Sequence, residues 1–96
     1  WAQGLAAAIW GLAAKDATGI WHHRDAGIAS WYDFAVAIGE MTNSTCSINR
    51  ISSIEFPTPA KRPNYSLMSC ESIVADFSIQ LQGWKASLET CLAYIR

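Results

Sequence analysis

Charge is scarce in this chain of 96 residues: 16% are charged, and seven Lys and Arg against eight Asp and Glu leave a net −1. Phosphate binding rests on clustered cations, so DNA, RNA and anionic membranes are poor partners for such a balance. Long apolar runs are also missing. The longest apolar-leaning stretch, Gly4 to Ala14, is mostly Ala and stops at Lys15-Asp16, well short of the roughly 20 residues that cross a bilayer. Cysteine is sparse and odd in number, with Cys46, Cys70 and Cys91 separated by 24 and 21 positions. No C-x-x-C pair exists, which excludes zinc ribbons and thioredoxin-like redox motifs. A secreted disulfide scaffold shows a denser, even count, so buried or inert thiols in a reducing cytoplasm are expected. The chain opens at Trp1 with neither Met nor a basic region, apolar run and cleavage site. A truncated, cytoplasmic chain is therefore expected.

Catalytic signatures are equally hard to find. There is no G-x-x-G-x-x-G or related phosphate loop, no P-loop and no G-x-S-x-G elbow. No Tyr is followed four positions later by Lys, since Tyr32 precedes Val36 and Tyr65 precedes Ser69 at that spacing. His22 and His23 are adjacent, and neighbours on an extended segment point to opposite faces. They cannot chelate one metal there, and no third ligand stands at a suitable spacing. A packed, hydrogen-bonded histidine is the expectation. Asn43-Ser44-Thr45 and Asn64-Tyr65-Ser66 match the glycosylation sequon but, without a secretory signal, read as turn residues.

What the chain does have is apolar substance: 51% of residues are hydrophobic and five are Trp, a profile opposite to that of disorder. At this length one domain, or a piece of one, is expected. Leu5, Ala8, Ile9 and Leu12 recur at i, i+3, i+4 and i+7, which predicts a helix over 2–14. Ile20 to Arg24 has strand-like side chains and runs into a turn at Asp25-Ala26-Gly27. Ser30-Trp31-Tyr32-Asp33 has the S-x-x-[DE] form of a capping box, opening a helix whose apolar face carries Trp31, Phe34, Ala35, Ile38 and Met41. Asn43 to Thr45 breaks that helix, and a short strand is expected within 47–54. Ser69 caps a short helix through Phe77, and a last helix runs from Gln82-Gly83 with Trp84, Leu88, Cys91, Leu92 and Ile95 on one face. The expected class is α+β: a small, mostly helical domain of three main helices and one short one, with one or two short strands.

All three prolines fall at 57, 59 and 63. Proline fixes φ and constrains the residue before it, so 56–66 should be an ordered extended loop. Lys61 and Arg62 sit on it as adjacent cations, with Asn64, Tyr65 and Ser66 beside them. A stiff loop loses less entropy on holding a ligand, and the guanidinium fork suits phosphate. On these residues alone the segment is either an anion-binding loop or a solvated basic turn. Trp10, Trp21, Trp31 and Trp84 read as core or interface residues, with Trp31, opening a helix beside a turn, as the candidate pocket wall.

Three segments together carry a resemblance. Gly19-Ile20-Trp21-His22, then Ala29-Ser30-Trp31-Tyr32-Asp33-Phe34-Ala35, then Phe56-Pro57-Thr58-Pro59-Ala60-Lys61-Arg62-Pro63 resemble the C-terminal part of dTDP-4-dehydrorhamnose reductase, a family of extended short-chain dehydrogenase/reductases. The order and spacing hold over nearly the whole chain, and Trp84-Lys85-Ala86-Ser87-Leu88 is similar to the family's closing helix. The resemblance implies that residues 1–96 are the substrate-binding segment, without the Rossmann domain that holds NADPH or NADH and the catalytic Tyr and Lys. It implies reduction of dTDP-4-dehydro-β-L-rhamnose to dTDP-L-rhamnose in the parent family, with no catalytic residue, cofactor site or metal in this chain. Arg62, with Lys61, would approach the phosphates of a dTDP-sugar. The family usually places Asp and Lys after the loop, where this chain has Ser69-Cys70-Glu71-Ser72. The competing expectation is a non-catalytic module that self-associates as a homo-oligomer through an exposed apolar face.

Overall fold

The computed structural model describes residues 1–95, and Arg96 lies outside them. Four helices form in chain order: α1 (Ala2–Ala13), α2 (Trp31–Met41), α3 (Glu71–Phe77) and α4 (Trp84–Ile95). Alanine, which loses no side-chain entropy in a helix, is the commonest residue of α1. Short polar residues close the first three helices in the left-handed region, at Asp16 (φ 51°), Asn43 (φ 52°) and Ser78 (φ 53°), the conformation that frees the last carbonyls from continuing the helix. No helix among the described residues is long and apolar enough to cross a membrane.

The expected α+β class is not what forms. Among the described residues there is no strand; the one β-type contact is an isolated parallel bridge between Ala26 and Gly83. A strand needs a backbone hydrogen-bonded partner, and among the described residues no backbone hydrogen bond joins Ile20–Arg24 to another segment; the bonds there come from side chains. The Trp21 indole donates to the Thr18 carbonyl at 3.1 Å, and Arg24 reaches out to the carbonyls of neighbouring segments. Within 47–54, Ile48, Ile51 and Ile54 recur every three residues, so they cannot share one face of an extended chain. Ile54 is 89% exposed, and Ser52–Glu55 closes as a turn, with the Glu55 amide donating to the Ser52 carbonyl. The short-helix cap also moves by one: α3 starts after Cys70, not Ser69, although the Ser69 hydroxyl accepts from the Glu71 amide at 3.4 Å.

The chain divides into two units. The first combines Trp1–Gly27 with the chain from Met68 onward, and the second is Ile28–Leu67. In the first unit, Ala8, Cys70, Ile73 and Leu88 are buried. Trp21 meets Phe77 edge to face at 4.6 Å, and the Lys15 ammonium donates to the Phe77 carbonyl at the end of α3. Residues 24–27 join the pieces of this unit. The Asp25 carboxylate lies 3.2 Å from the Trp1 nitrogen, where an acidic group complements the positive end of α1. The Ala26 amide donates to the Gln82 carbonyl, and the Ala26 carbonyl accepts from the Trp84 amide that opens α4. Gly27, at φ +97°, leaves room for the Trp84 ring where a Cβ would stand only 2.8 Å from its Cδ1.

In the second unit α2 begins with the expected capping box. The Ser30 hydroxyl accepts from the Asp33 amide at 3.1 Å, while the Asp33 carboxylate accepts from the Ser30 amide at 2.8 Å. The fully buried position on α2 is Ala37; of the predicted face, Ala35, Ile38 and Met41 are half-buried while Trp31 stands in solvent. Gly39 brings the helix backbone up to Ile48, whose Cδ1 lies 3.4 Å from where a Cβ would be.

Candidate functional site

The loop 56–66 contains neither helix nor strand, as its prolines dictate. Lys61 and Arg62 are exposed on it and make no hydrogen bond or ion pair among the described residues. Nearby, the Thr58 hydroxyl donates to the Ala60 carbonyl at 2.9 Å, tightening the turn just before the cations. Trp31 belongs to the same unit. It is 87% exposed and leans edge-on against Phe34, with ring centroids 6.4 Å apart. The helix start fixes Trp31 at the first position after the Ser30 cap. All three predicted site residues therefore fall in one unit and face solvent, with their polar or aromatic surfaces available to a ligand.

Trp10, by contrast, is 79% exposed in the first unit, so Trp10 and Trp31 are not core residues. Trp21 and Trp84 are half-buried. Of the thiols, Cys70 is buried, Cys91 half-buried and Cys46 exposed, all three free. An open depression of about 520 Å³ lies between α2 and residues 43–48, lined by Val36, Glu40, Asn43, Cys46 and Ile48 among others. It contains none of the three predicted site residues.

Two features of the second unit escaped the sequence reading. The Arg50 guanidinium lies 4.5 Å over the Tyr32 ring, a cation–π contact that no spacing rule announces. The other feature had a signal. Ser52-Ser53-Ile54-Glu55 repeats the S-x-x-[DE] pattern of 30–33, and the Glu55 carboxylate accepts from both the Ser52 amide (2.6 Å) and the Ser52 hydroxyl (2.8 Å). These two hydrogen bonds, the backbone one first, hold the Glu55 carboxyl below its ordinary value of 4.5. No helix follows, because Pro57 disfavours helical backbone at Phe56.

The helices open without a glycine-rich strand-to-helix turn: α1 follows Trp1, α2 follows a serine cap and α3 follows Cys70. Among the described residues no three His, Cys, Asp or Glu side chains converge to hold a metal ion.

These features describe a helical segment whose exposed cations sit on a proline-stiffened loop. The chain belongs to the RmlD substrate binding domain family, which matches residues 1–96. It is similar to the dTDP-4-dehydrorhamnose reductase of Sinorhizobium fredii, with 36% identity over 78 residues covering 77% of this chain and 26% of that protein. It is also similar to the dTDP-4-dehydrorhamnose reductase of Aggregatibacter actinomycetemcomitans, 34% identical over 82 residues covering 79% and 28%. A third relative is the spore coat polysaccharide biosynthesis protein SpsK of Bacillus subtilis, 34% identical over 74 residues covering 77% and 26%. The chain thus spans about a quarter of the length of these relatives. No solved structure gives a significant match.

Proposed function

We propose that the chain is the nucleotide-sugar-binding segment of a cytoplasmic NAD(P)H-dependent reductase that converts dTDP-4-dehydro-β-L-rhamnose to dTDP-L-rhamnose. The family match over the full chain supports the assignment, as do relatives that bear the reductase name. Within the chain, the observation that carries it is the pair Lys61–Arg62, exposed and uncommitted on a loop of three prolines. In this reading Arg62, assisted by Lys61, holds the diphosphate, because a planar fork matches phosphate oxygens better than a point charge does. Trp31 forms an apolar wall of the same site. In this reading hydride transfer to the 4-keto carbon belongs to residues outside the matched quarter.

Calorimetry of the full chain with a dTDP-sugar tests this. Arg62→Ala should weaken binding by roughly 10- to 150-fold, the worth of about 1.5–3 kcal/mol for hydrogen bonds to charged groups. Undetectable binding by the unaltered chain, or affinity indifferent to Arg62, sinks the assignment.

A second reading, a self-associating interaction module, has its own observation. Helix α1 carries no charged residue and buries only Ala8, leaving Leu5, Ile9 and Trp10 exposed. Helices apolar all round are normally covered.

A further inference from the structure

Arg24 is in a different unit from the proposed ligand loop, yet it grips both ends of the segment that carries that loop. Its Nε donates to the Met68 carbonyl at 2.7 Å, and its Nη1 donates to the carbonyls of Asp25 (2.8 Å) and Gly27 (3.1 Å). Gly27 is the last residue before the second unit and Met68 the first after it. One guanidinium therefore ties the point where the chain leaves for residues 28–67 to the point where it returns. A planar, rigid fork with several N–H donors is pre-organised for holding acceptors from two separated segments. Other ties fix the outgoing side: the backbone bonds of Ala26 to Gln82 and Trp84, and the seat of Gly27 against Trp84. None of these reaches Met68, which is partly exposed.

The ligand residues lie a short chain length from this tie. Trp31 is four residues past Gly27, and Arg62 is six before Met68. At about 3.3–3.6 Å per residue they can stray no more than roughly 14 Å and 22 Å from their respective stems. Joining the stems thereby confines the aromatic wall and the cations to one neighbourhood, which raises the effective concentration of each toward a ligand held by the other. We propose that Arg24 is a positioning residue for the nucleotide-sugar site: it touches no ligand, and sets the site's affinity by holding the two stems of 28–67 together. The ligand half of this inference rests on the proposed function above; the tie itself does not.

The test compares the full chain with R24A, R24K and R62A, and reads two quantities. The first is the backbone order parameter of Ile28 and Leu67 by nitrogen relaxation, with helix content followed by circular dichroism. The expected result is a rigid value of about 0.85 in the unaltered chain, falling below about 0.6 in R24A, with helix content unchanged. R24K, which keeps the charge but not the fork, should fall between. The second quantity is affinity for a dTDP-sugar, expected to drop about tenfold in R24A, partly recover in R24K and fall by roughly 10- to 150-fold in R62A. Order parameters unchanged in R24A overturn the inference whatever the ligand data show. So does general unfolding of R24A with R24K matching the unaltered chain, because Arg24 would then be an ordinary stabiliser. Stems that loosen in R24A while binding is full-strength also overturn it. If the stems loosen but no chain binds the sugar, the tie stands and the proposed function fails.

Discussion

Gly27 has no side chain, and the first unit depends on that. Its φ of +97° is open to glycine and rarely to other residues, and the Trp84 ring occupies the space a Cβ needs. Gly27→Ala would therefore meet backbone strain of about 1–3 kcal/mol together with a clash against an aromatic ring. The expected result is a lower urea midpoint with an unchanged slope. Trp31 is the opposite case, a large side chain that the fold barely uses. Trp31→Ala forfeits the edge-on contact with Phe34, worth at most about 1.5 kcal/mol, and little else. If Trp31 is a pocket wall, the variant should lose dTDP-sugar affinity while its thermal midpoint shifts by only a few degrees. A large loss of stability would make it a packing residue instead.

The two S-x-x-[DE] turns show what an identical signal does in different company. At 30–33 the box is followed by Phe34-Ala35-Val36-Ala37 and becomes α2; Ser30→Ala should cost about 1 kcal/mol, measurable by chemical denaturation. At 52–55 the box is followed by Phe56-Pro57 and remains a single turn. Its carboxylate is depressed by the Ser52 hydrogen bonds, so the sign of its pH dependence is set. The charged form favours the folded turn, so the contribution is fully present above the ordinary value of 4.5 and is lost as pH falls through the lower folded value. Proton titration of Glu55 by NMR should give a midpoint below 4.5, and Ser52→Ala should raise it toward that value.

The same pair explains which parts of the fold were legible. Helices α1, α2 and α4 follow from apolar spacing, with Ser30 and Gly83 at the starts of α2 and α4; α3 follows from Ser69, one residue before its cap; and the prolines at 57, 59 and 63 announce the loop. Both expected strands fail, because a strand is a relation between segments and neither candidate carries its partner in its own sequence. Ile48, Ile51 and Ile54 already dissented through their three-residue spacing. Lys61, Arg62 and Trp31 were visible as residue types, and the loop as a stiff one. Arg24 was not, since its acceptors are backbone carbonyls up to 44 positions away and every residue has one.

For the whole molecule, the apolar surface of α1 sets the main expectation. Leu5, Ile9 and Trp10 are exposed on a helix with no charge to repel a second copy, and contiguous apolar patches of this kind mark interfaces or aggregation sites. Sedimentation of the chain at increasing concentration should show association, and Ile9→Glu should reverse it. A monomer at all concentrations would remove the interaction-module reading.

The first unit is assembled from two stretches of chain with 40 residues between them, and that order matters during synthesis. Asp25 and Arg24 emerge early, but Met68, Phe77, Gln82 and Trp84, which they and their neighbours bind, come only after the second unit has been made. At roughly 5–20 residues per second the wait lasts about 2–8 s. Residues 28–67, whose contacts are local, can settle in that interval. Helix α1, whose Gly11 faces the Ile79 side chain, waits through that interval for this contact.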